Sequence, residues 1–522
     1  YVLIDTHHVH TNGQIKVERM ASIQEKLANS LSVLKKYQDE NNSDIIQGMK
    51  TLGETHTKRL IDNGYLEQVI KGWYMPTMPG MEGDTTVWYA SYWKFIVAYS
   101  NNRFGDNWCL TPEESLDFYA GETVAPTQLI IRSSKASNNI VSLKHGDSML
   151  DITATMPAHI VVEQRYGLRL YPLAEALVFC TPTYFSRNSV NARTCLSLVG
   201  GADEILKVVA DEGNSSRASR LVGAFRNIGR TDVAETILQF MTRLGHELRP
   251  EDPFEDTTPS LSGTSRNTSP HAIRIRLMWQ KMRKQILDLP LIAPTQSQTT
   301  EAILSNMDDN YIRDSYHSLS IEGYRVTEGL IERVRSGEWN PEDDKIDADR
   351  KNALAARGYY QAFQQVKESV KAILQGANAG NIVSRDFDKW HFEMFQPCIT
   401  AGIIKPSDLV GYRSHQVHIR GSKHTPLPPE ALRDAMSALA ELMESEEDAI
   451  VRAVLGHFFF VYIHPYMDGN GRTARFIMNA MLVTSGHPWR IITVEERQSY
   501  MAALEKASIH GDITDFAQTI CP

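Results

Sequence analysis

The residues best suited to chemistry lie in one stretch, His464-Pro465-Tyr466-Met467-Asp468-Gly469-Asn470-Gly471-Arg472-Thr473-Ala474-Arg475. Pro465 disfavours helical geometry at His464. An apolar helix ahead of it should end there, leaving the imidazole free to enter a cleft as a base. Gly469-Asn470-Gly471 permits backbone angles that turn successive N–H groups inward, an anion nest just ahead of the positive N-terminus of the next helix. Arg472 and Arg475 stand three apart on that helix and can face one ligand. Asp468 offers a hard oxygen suited to Mg²⁺ carried in by a nucleotide. A base, a metal carboxylate, a phosphate nest and two guanidiniums in one loop suit phosphoryl or nucleotidyl transfer. A helix C-terminus raises the pKa of a histidine, so activity is expected to rise through the pH range in which His464 loses its proton.

A competing pattern overlaps this one. Gly469-x-Gly471-x-x-Ala474 also fits a dinucleotide fingerprint, with Phe458–Ile463 and Ile491–Val494 as strands and Glu495 as the distal acid. Glu446–Ile463 reads better as one long helix, and the fingerprint explains neither His464-Pro465 nor the paired arginines. No GxxxxGK[ST] loop supports a P-loop enzyme.

The stretch resembles the Fic motif, HPFx[D/E]GNGRxxR, with Tyr466 in place of the usual Phe. The resemblance implies a protein adenylyltransferase that moves AMP from ATP to a protein hydroxyl. His464 would deprotonate that hydroxyl, Asp468 would hold Mg²⁺, and Gly469, Asn470, Gly471, Arg472 and Arg475 would bind phosphates. Upstream, Ser318-Leu319-Ser320-Ile321-Glu322-Gly323 resembles the family's inhibitory helix, [S/T]xxxE[G/N]. By that resemblance Ser318, Glu322 and Gly323 form an inhibitory element, with Glu322 paired to Arg475. Some relatives use this glutamate to remove AMP as well. The segment Ser414–Thr425 resembles the flap that docks the target protein as an added strand. Its histidines, His415, His418 and His424, read as surface residues. Glu496–Glu505 resembles the helix lining the adenine pocket, with Tyr500 as the candidate base contact. Where relatives place a second Tyr and a later Asn, this chain has Met501 and Ser508. Related enzymes often dimerise, so a homodimer is an expected partner.

The elements that must position these residues are helical. Ile273–Leu287, Asp309–Leu319, Asn352–Leu374, Pro429–Ser445, Ala449–Ile463, Arg472–Thr484 and Val494–His510 carry apolar residues at helical spacing. Val417–Lys423 alternates and then turns, which predicts a small hairpin. Ahead of this half lies Pro250–Pro270, rich in Pro, Ser, Thr and acids, a linker composition.

The front half opens with a helical stretch, Ile23–Tyr37. A short helix Asp44–Met49, a turn at Leu52-Gly53, a helix Glu54–Asn63 and strands Leu66–Ile70 and Trp73–Met75 are then expected, a winged helix-turn-helix. Thr55, Thr57, Lys58 and Arg59 are its candidate DNA contacts. Strands are also expected at Gln128–Arg132 and His159–Val162. With the segment Cys109–Arg132, this half resembles the winged-helix antitoxins of abortive-infection type IV systems. The expected organisation is a multi-domain α+β chain: a winged helix (20–85), a mixed α/β antitoxin-like regulatory region (86–249), a linker (250–270) and an all-α Fic domain with a hairpin flap (271–522). Two further readings stay open beside an autoinhibited enzyme, a nucleotide-sensing DNA-binding transcriptional regulator and a toxin–antitoxin fusion.

The bulk composition agrees with a globular chain. Of 522 residues, 42% are hydrophobic and 22% charged, and the net charge of −9 argues against non-specific coating of nucleic acid. Five scattered cysteines without a CxxC pair suggest neither zinc site nor disulfide framework, so a cytoplasmic location is expected. Tyr1–Met20 is polar and lacks a signal-peptide pattern, and no apolar run could span a bilayer. His7, His8 and His10 read as a solvated tail, and the start at Tyr1 rather than Met as a processed or appended end.

Overall fold

The computed structural model describes residues 22–41, 43–81, 84–256, 269–290, 299–339 and 347–521. The histidines of the expected tail, most of the expected linker and the chain start lie outside these. The described chain divides into two compact units, 1–98 and 99–522.

The first unit contains α1 (Ile23–Asn41), β1 (Ile46–Gln47), α2 (Glu54–Asp62), β2 (Leu66–Ile70) and β3 (Trp73–Pro76). The strands form an antiparallel sheet in the order β1-β3-β2, with Ile46 opposite Tyr74 and Leu66 opposite Pro76. Leu34, Ile46, Leu52, Leu60, Leu66 and Tyr74 make its core. The helix expected at Asp44–Met49 is absent. Ile45 and Ile46 are both buried, which suits an extended segment pairing with β3, and Gly48 at φ 78° turns the chain away. The helix α3 (Thr85–Phe104) follows and spans the boundary in sequence.

The second unit begins with β4 (Cys109–Leu110), α4 (Pro112–Tyr119), β5 (Gln128–Ser133), β6 (Ile140–Ser142) and β7 (Ser148–Thr153). These strands form a mixed sheet, β4-β5-β7-β6, in which β5 and β7 run parallel from Gln128↔Ser148 to Ser133↔Thr153. A two-stranded hairpin, β8 (Val161–Val162) and β9 (Arg169–Leu170), replaces the longer strand expected from His159. Six helices follow: α5 (Leu173–Phe179), α6 (Pro182–Arg187), α7 (Ser189–Leu198), α8 (Ala202–Glu212), α9 (Ser215–Asn227) and α10 (Thr231–Arg243). The start of the expected linker packs onto them. Phe254 is buried against Phe185, and Asp256 pairs with Arg193 at 2.6 Å.

The remainder is helical: α11 (Pro270–Leu287), α12 (Thr300–Ile321), α13 (Glu328–Ser336), α14 (Asp347–Leu374), α15 (Ala379–Thr400), α16 (Leu432–Ser445), α17 (Ala449–Ile463), α18 (Asn470–Thr484), α19 (Arg497–His510) and α20 (Thr514–Ile520). Val454, Leu455, Phe458, Phe459, Phe460 and Ile463 bury α17 on every side, which is why it lacks an amphipathic pattern. Asp448 caps its start through the Val451 N–H. The run ending at Ile463 is therefore helix, not the strand that a dinucleotide fold needs. Residues 414–425 carry a turn, Ser422 N–H to Ile419 C=O at 3.1 Å, but no strand pair. The expected hairpin is a loop held by side chains: Gln416 donates to Pro426 C=O, and Ser422 and the Lys423 N–H donate to Glu505. His424 forms an isolated antiparallel bridge with Val124 of the preceding region.

Candidate active site

At the end of α17 the backbone of His464 turns into the left-handed region, φ 56°, while its N–H still closes the helix onto Phe460 C=O. Its Nδ1 lies 3.2 Å from Val461 C=O. A carbonyl can only accept, so Nδ1 carries the proton and Nε2 keeps its lone pair. Desolvation pushes the imidazole pKa down to about 4, reinforced by Arg413, against the opposing pull of the Val461 carbonyl, Glu322 and Asp468. This corrects the expectation of a raised pKa. The helix terminus offers a favourable carbonyl, but burial of the ring outweighs it, and the imidazole is neutral at physiological pH.

The loop between α17 and α18 is pinned from inside. The buried Asn470 amide accepts from the Tyr466 N–H at 3.0 Å and donates to Tyr466 C=O at 2.9 Å. This side chain, expected on phosphate, is therefore a staple of the loop. Gly469 caps α18 at φ 86°, where a Cβ would also strike Phe395. The Asp468 carboxylate accepts from the Gly469 N–H at 2.5 Å and from Arg472 Nη2 at 3.2 Å. Its side chain remains 61% exposed, so it can still meet an incoming ion.

Arg472 and Arg475 are 1% and 3% exposed. Arg472 lies between the rings of Tyr324 and Phe395, 5.2 and 5.1 Å from their centroids. Arg475 is held by the end of α12: Nε donates to Ser318 Oγ at 2.9 Å, and Nη2 to Ser318 C=O at 3.0 Å and to Glu322 Oε1 at 2.8 Å. Burial works against its charge, and the adjacent Glu322 more than offsets this, raising the guanidinium pKa. Glu322 caps α12, and Gly323 follows at φ 88°, ending the helix. The same Glu322 oxygen lies where a side chain on Gly471 would begin, so it occupies the mouth of the glycine nest. Two guanidiniums, a glycine-rich helix N-terminus and a neutral imidazole thus face one space, with a carboxylate lodged in it.

Three residues that the sequence did not single out complete the loop. His391 on α15 stacks on Tyr466, centroids 3.7 Å apart, and lies 3.0 Å from Asp468 C=O, to which its Nε2–H donates. Asp388 on the same helix accepts from the Tyr466 hydroxyl, which is how the loop accommodates that hydroxyl. Arg413 donates from Nε to His464 C=O at 2.8 Å. No motif flags them, and α15 itself escaped notice because its apolar positions are interrupted by charge and Pro397 lies inside it.

Other expected site residues are placed differently. Tyr500 is buried, with its hydroxyl 2.9 Å from His457 Nε2 and its ring near Phe516, so it packs in the core rather than presenting a face to a base. His424, expected on the surface, is buried between Tyr462, on whose ring it stacks, and Thr123. In the first unit Thr57 is buried and bonded to Met49 C=O, and Arg59 donates to Ser30 Oγ at 2.8 Å. Thr55 and Lys58 are exposed. No helix among the described residues is long and apolar enough to cross a membrane.

The part of the chain that carries this site is similar to known proteins. A protein adenylyltransferase Fic of Nematostella vectensis is 31% identical over 214 residues, 40% of this chain and 46% of that protein. Protein adenylyltransferase fic-1 of Caenorhabditis briggsae is 27% identical over 252 residues, 46% of this chain and 45% of that protein. Protein adenylyltransferase Fic of Drosophila virilis is 28% identical over 227 residues, 43% of each chain. The chain thus spans less than half the length of these curated relatives. The Fic/DOC family profile matches residues 383–482, from α15 through the loop and α18.

Proposed function

We propose that this chain transfers AMP from ATP to a hydroxyl of a target protein and that Glu322 restrains the reaction. The observation that carries this is the Glu322–Arg475 pair set against Gly471, opposite an imidazole whose Nε2 lone pair is free. His464 Nε2 takes the hydroxyl proton as the oxygen attacks the α-phosphorus. The bond from that phosphorus to the bridging oxygen breaks, and pyrophosphate leaves. Arg472, Arg475 and the amides at the start of α18 bind the phosphates and hold the leaving group in line. Mg²⁺ fits Asp468, whose carboxylate is exposed beside the nest; bound with the nucleotide, it would neutralise phosphate charge. A carboxylate on Arg475 denies that guanidinium to the γ-phosphate, so nucleotide binds without the orientation that transfer needs. The target docks at Ser414–Thr425.

ATP labelled at the α- or the γ-phosphate tests this with wild type, Glu322→Gly and Glu322→Gly/His464→Ala in host lysate. Protein label from α-labelled ATP alone, raised by Glu322→Gly and lost with His464→Ala, is the expected result. Label from the γ-phosphate would indicate phosphate transfer instead, and no label despite ATP binding would favour a nucleotide-sensing regulator. For the first unit, the exposed Thr55 and Lys58 leave DNA binding as a second proposal. A mobility shift lost on Lys58→Ala would support it.

A further inference from the structure

Arg413 is 5% exposed, yet its partners are backbone carbonyls rather than a carboxylate. Nε donates to His464 C=O at 2.8 Å, Nη1 to His415 C=O at 2.8 Å, and Nη2 to Leu427 C=O at 2.5 Å and Ile463 C=O at 3.5 Å. Its own N–H donates to Pro465 C=O at 2.9 Å. His415 and Leu427 stand at the two feet of the flap loop, and Ile463, His464 and Pro465 form the junction that presents the base. One planar fork therefore ties both feet of the flap to the catalytic turn.

Two features say that this tie has work to do beyond packing. His464 is one of three non-glycine residues with positive φ among the described residues. That conformation is strained for a residue with a side chain and persists only where the surroundings impose it. Arg413 Nε meets the carbonyl that the left-handed turn swings out. In addition, the last carbonyls of α17 have no partner within their own helix, and a guanidinium at a helix C-terminus satisfies them and opposes the dipole. Lysine could supply the charge but not donors to four carbonyls in one plane.

We infer that Arg413 is a positioning residue that holds the His464 turn and the stem of the flap as one unit, so that base and docked target keep a fixed separation. The inference rests on His464 being the base and the flap the docking site, and its test has one reading independent of that chemistry. Hydrogen exchange by mass spectrometry on the full chain would compare wild type, Arg413→Lys and Arg413→Ala. The expected result is faster exchange in peptides covering 414–427 and 463–466 together, with α18 still protected. Unchanged exchange in both segments of Arg413→Lys, or a uniform rise over the whole second unit in both variants, would overturn it. Activity gives the second reading, taken in the Glu322→Gly background. Arg413→Ala should lower kcat about 10²-fold, leave KM for ATP unchanged and raise KM for the target. Millimolar methylguanidinium should restore part of the loss and methylammonium should not. An unchanged kcat, or a loss confined to KM for ATP, would overturn the role. If Glu322→Gly shows no transfer at all, the proposed function fails, while hydrogen exchange still decides whether the two segments are coupled.

Discussion

The proposed role of His464 as a base depends on where its ring is buried. With its pKa near 4, the imidazole is already neutral across the physiological range. The rate of AMP transfer in Glu322→Gly is therefore expected to be flat from about pH 6 upward and to fall only toward pH 4, where the ring protonates. A rate measured under single-turnover conditions that climbs tenfold between pH 6 and 7 would contradict this. Asn470 makes a different contribution. Asn470→Ala would leave the Tyr466 N–H and C=O unpaired inside the protein, at about 2 kcal/mol in stability. Chemical denaturation should show that loss, with transfer weakened because the turn opens. The motif Pro465–Arg475 could be read as one catalytic loop because its geometry is set locally, by a proline, two glycines and a helix start. What His464 and Tyr466 touch on other elements could not be read in the same way. Their partners Asp388, His391 and Arg413 lie 50 to 80 residues away and are brought in only by tertiary packing.

At the scale of elements, the end of α12 meets α18 at Arg475, where the phosphates are proposed to bind. Ser318 and Glu322 stand one helical turn apart, so one end of α12 offers a hydroxyl, a carbonyl and a carboxylate to a single guanidinium. Removing Glu322 opens the nest but also leaves Arg475 buried without its counter-ion. The Glu322 side chain is 28% exposed, so the loss is smaller than for a fully buried pair, about 2 kcal/mol. A γ-phosphate would replace the missing carboxylate. Glu322→Gly is therefore expected to melt at a lower temperature than wild type without nucleotide, and to gain more from saturating ATP. Equal ATP-induced shifts in the two proteins would show that Arg475 does not meet the nucleotide. Seven of the helices between Ile273 and His510 were legible from periodicity, whereas α13 and α15 were not. The flap and β1 were not. Alternation suggested a hairpin at Val417–Lys423, yet Arg413, Gln416 and Glu505 hold that segment as a loop, and the expected helix at Asp44–Met49 yields to pairing with β3.

At the scale of the molecule, composition marked a seam at Pro250–Pro270, but the second unit runs from residue 99 to residue 522. The reason lies in a polar knot that sequence patterns do not reveal. Arg274 on α11 donates to Glu122 at 2.8 Å and to Asn191, and it reaches the Tyr462 hydroxyl, two residues ahead of His464. Thr123, next to Glu122, bonds both Tyr462 and His424. Burial alone would raise the Glu122 carboxyl, but Arg274, Asn191 and the amides of Thr123 and Val124 hold it below the usual carboxylate range. A carboxyl depressed in the folded state contributes stability above its unfolded pKa, and that contribution disappears as pH falls through the folded value. Glu122→Ala would leave Arg274 buried and unpaired and should cost about 3 kcal/mol at pH 7, whereas replacing both with Glu122→Leu/Arg274→Met should cost far less. Thermal unfolding of the full chain at pH 7 and at pH 3 checks this. At pH 7 the single variant should lower the midpoint of the second unit's transition more than the double variant does. At pH 3 the deficit of Glu122→Ala should shrink, because acid has already begun to protonate Glu122 in the wild type and so weakens the pair there too. A deficit independent of pH would mean that packing, rather than the ion pair, joins the region from residue 99 to the catalytic helices.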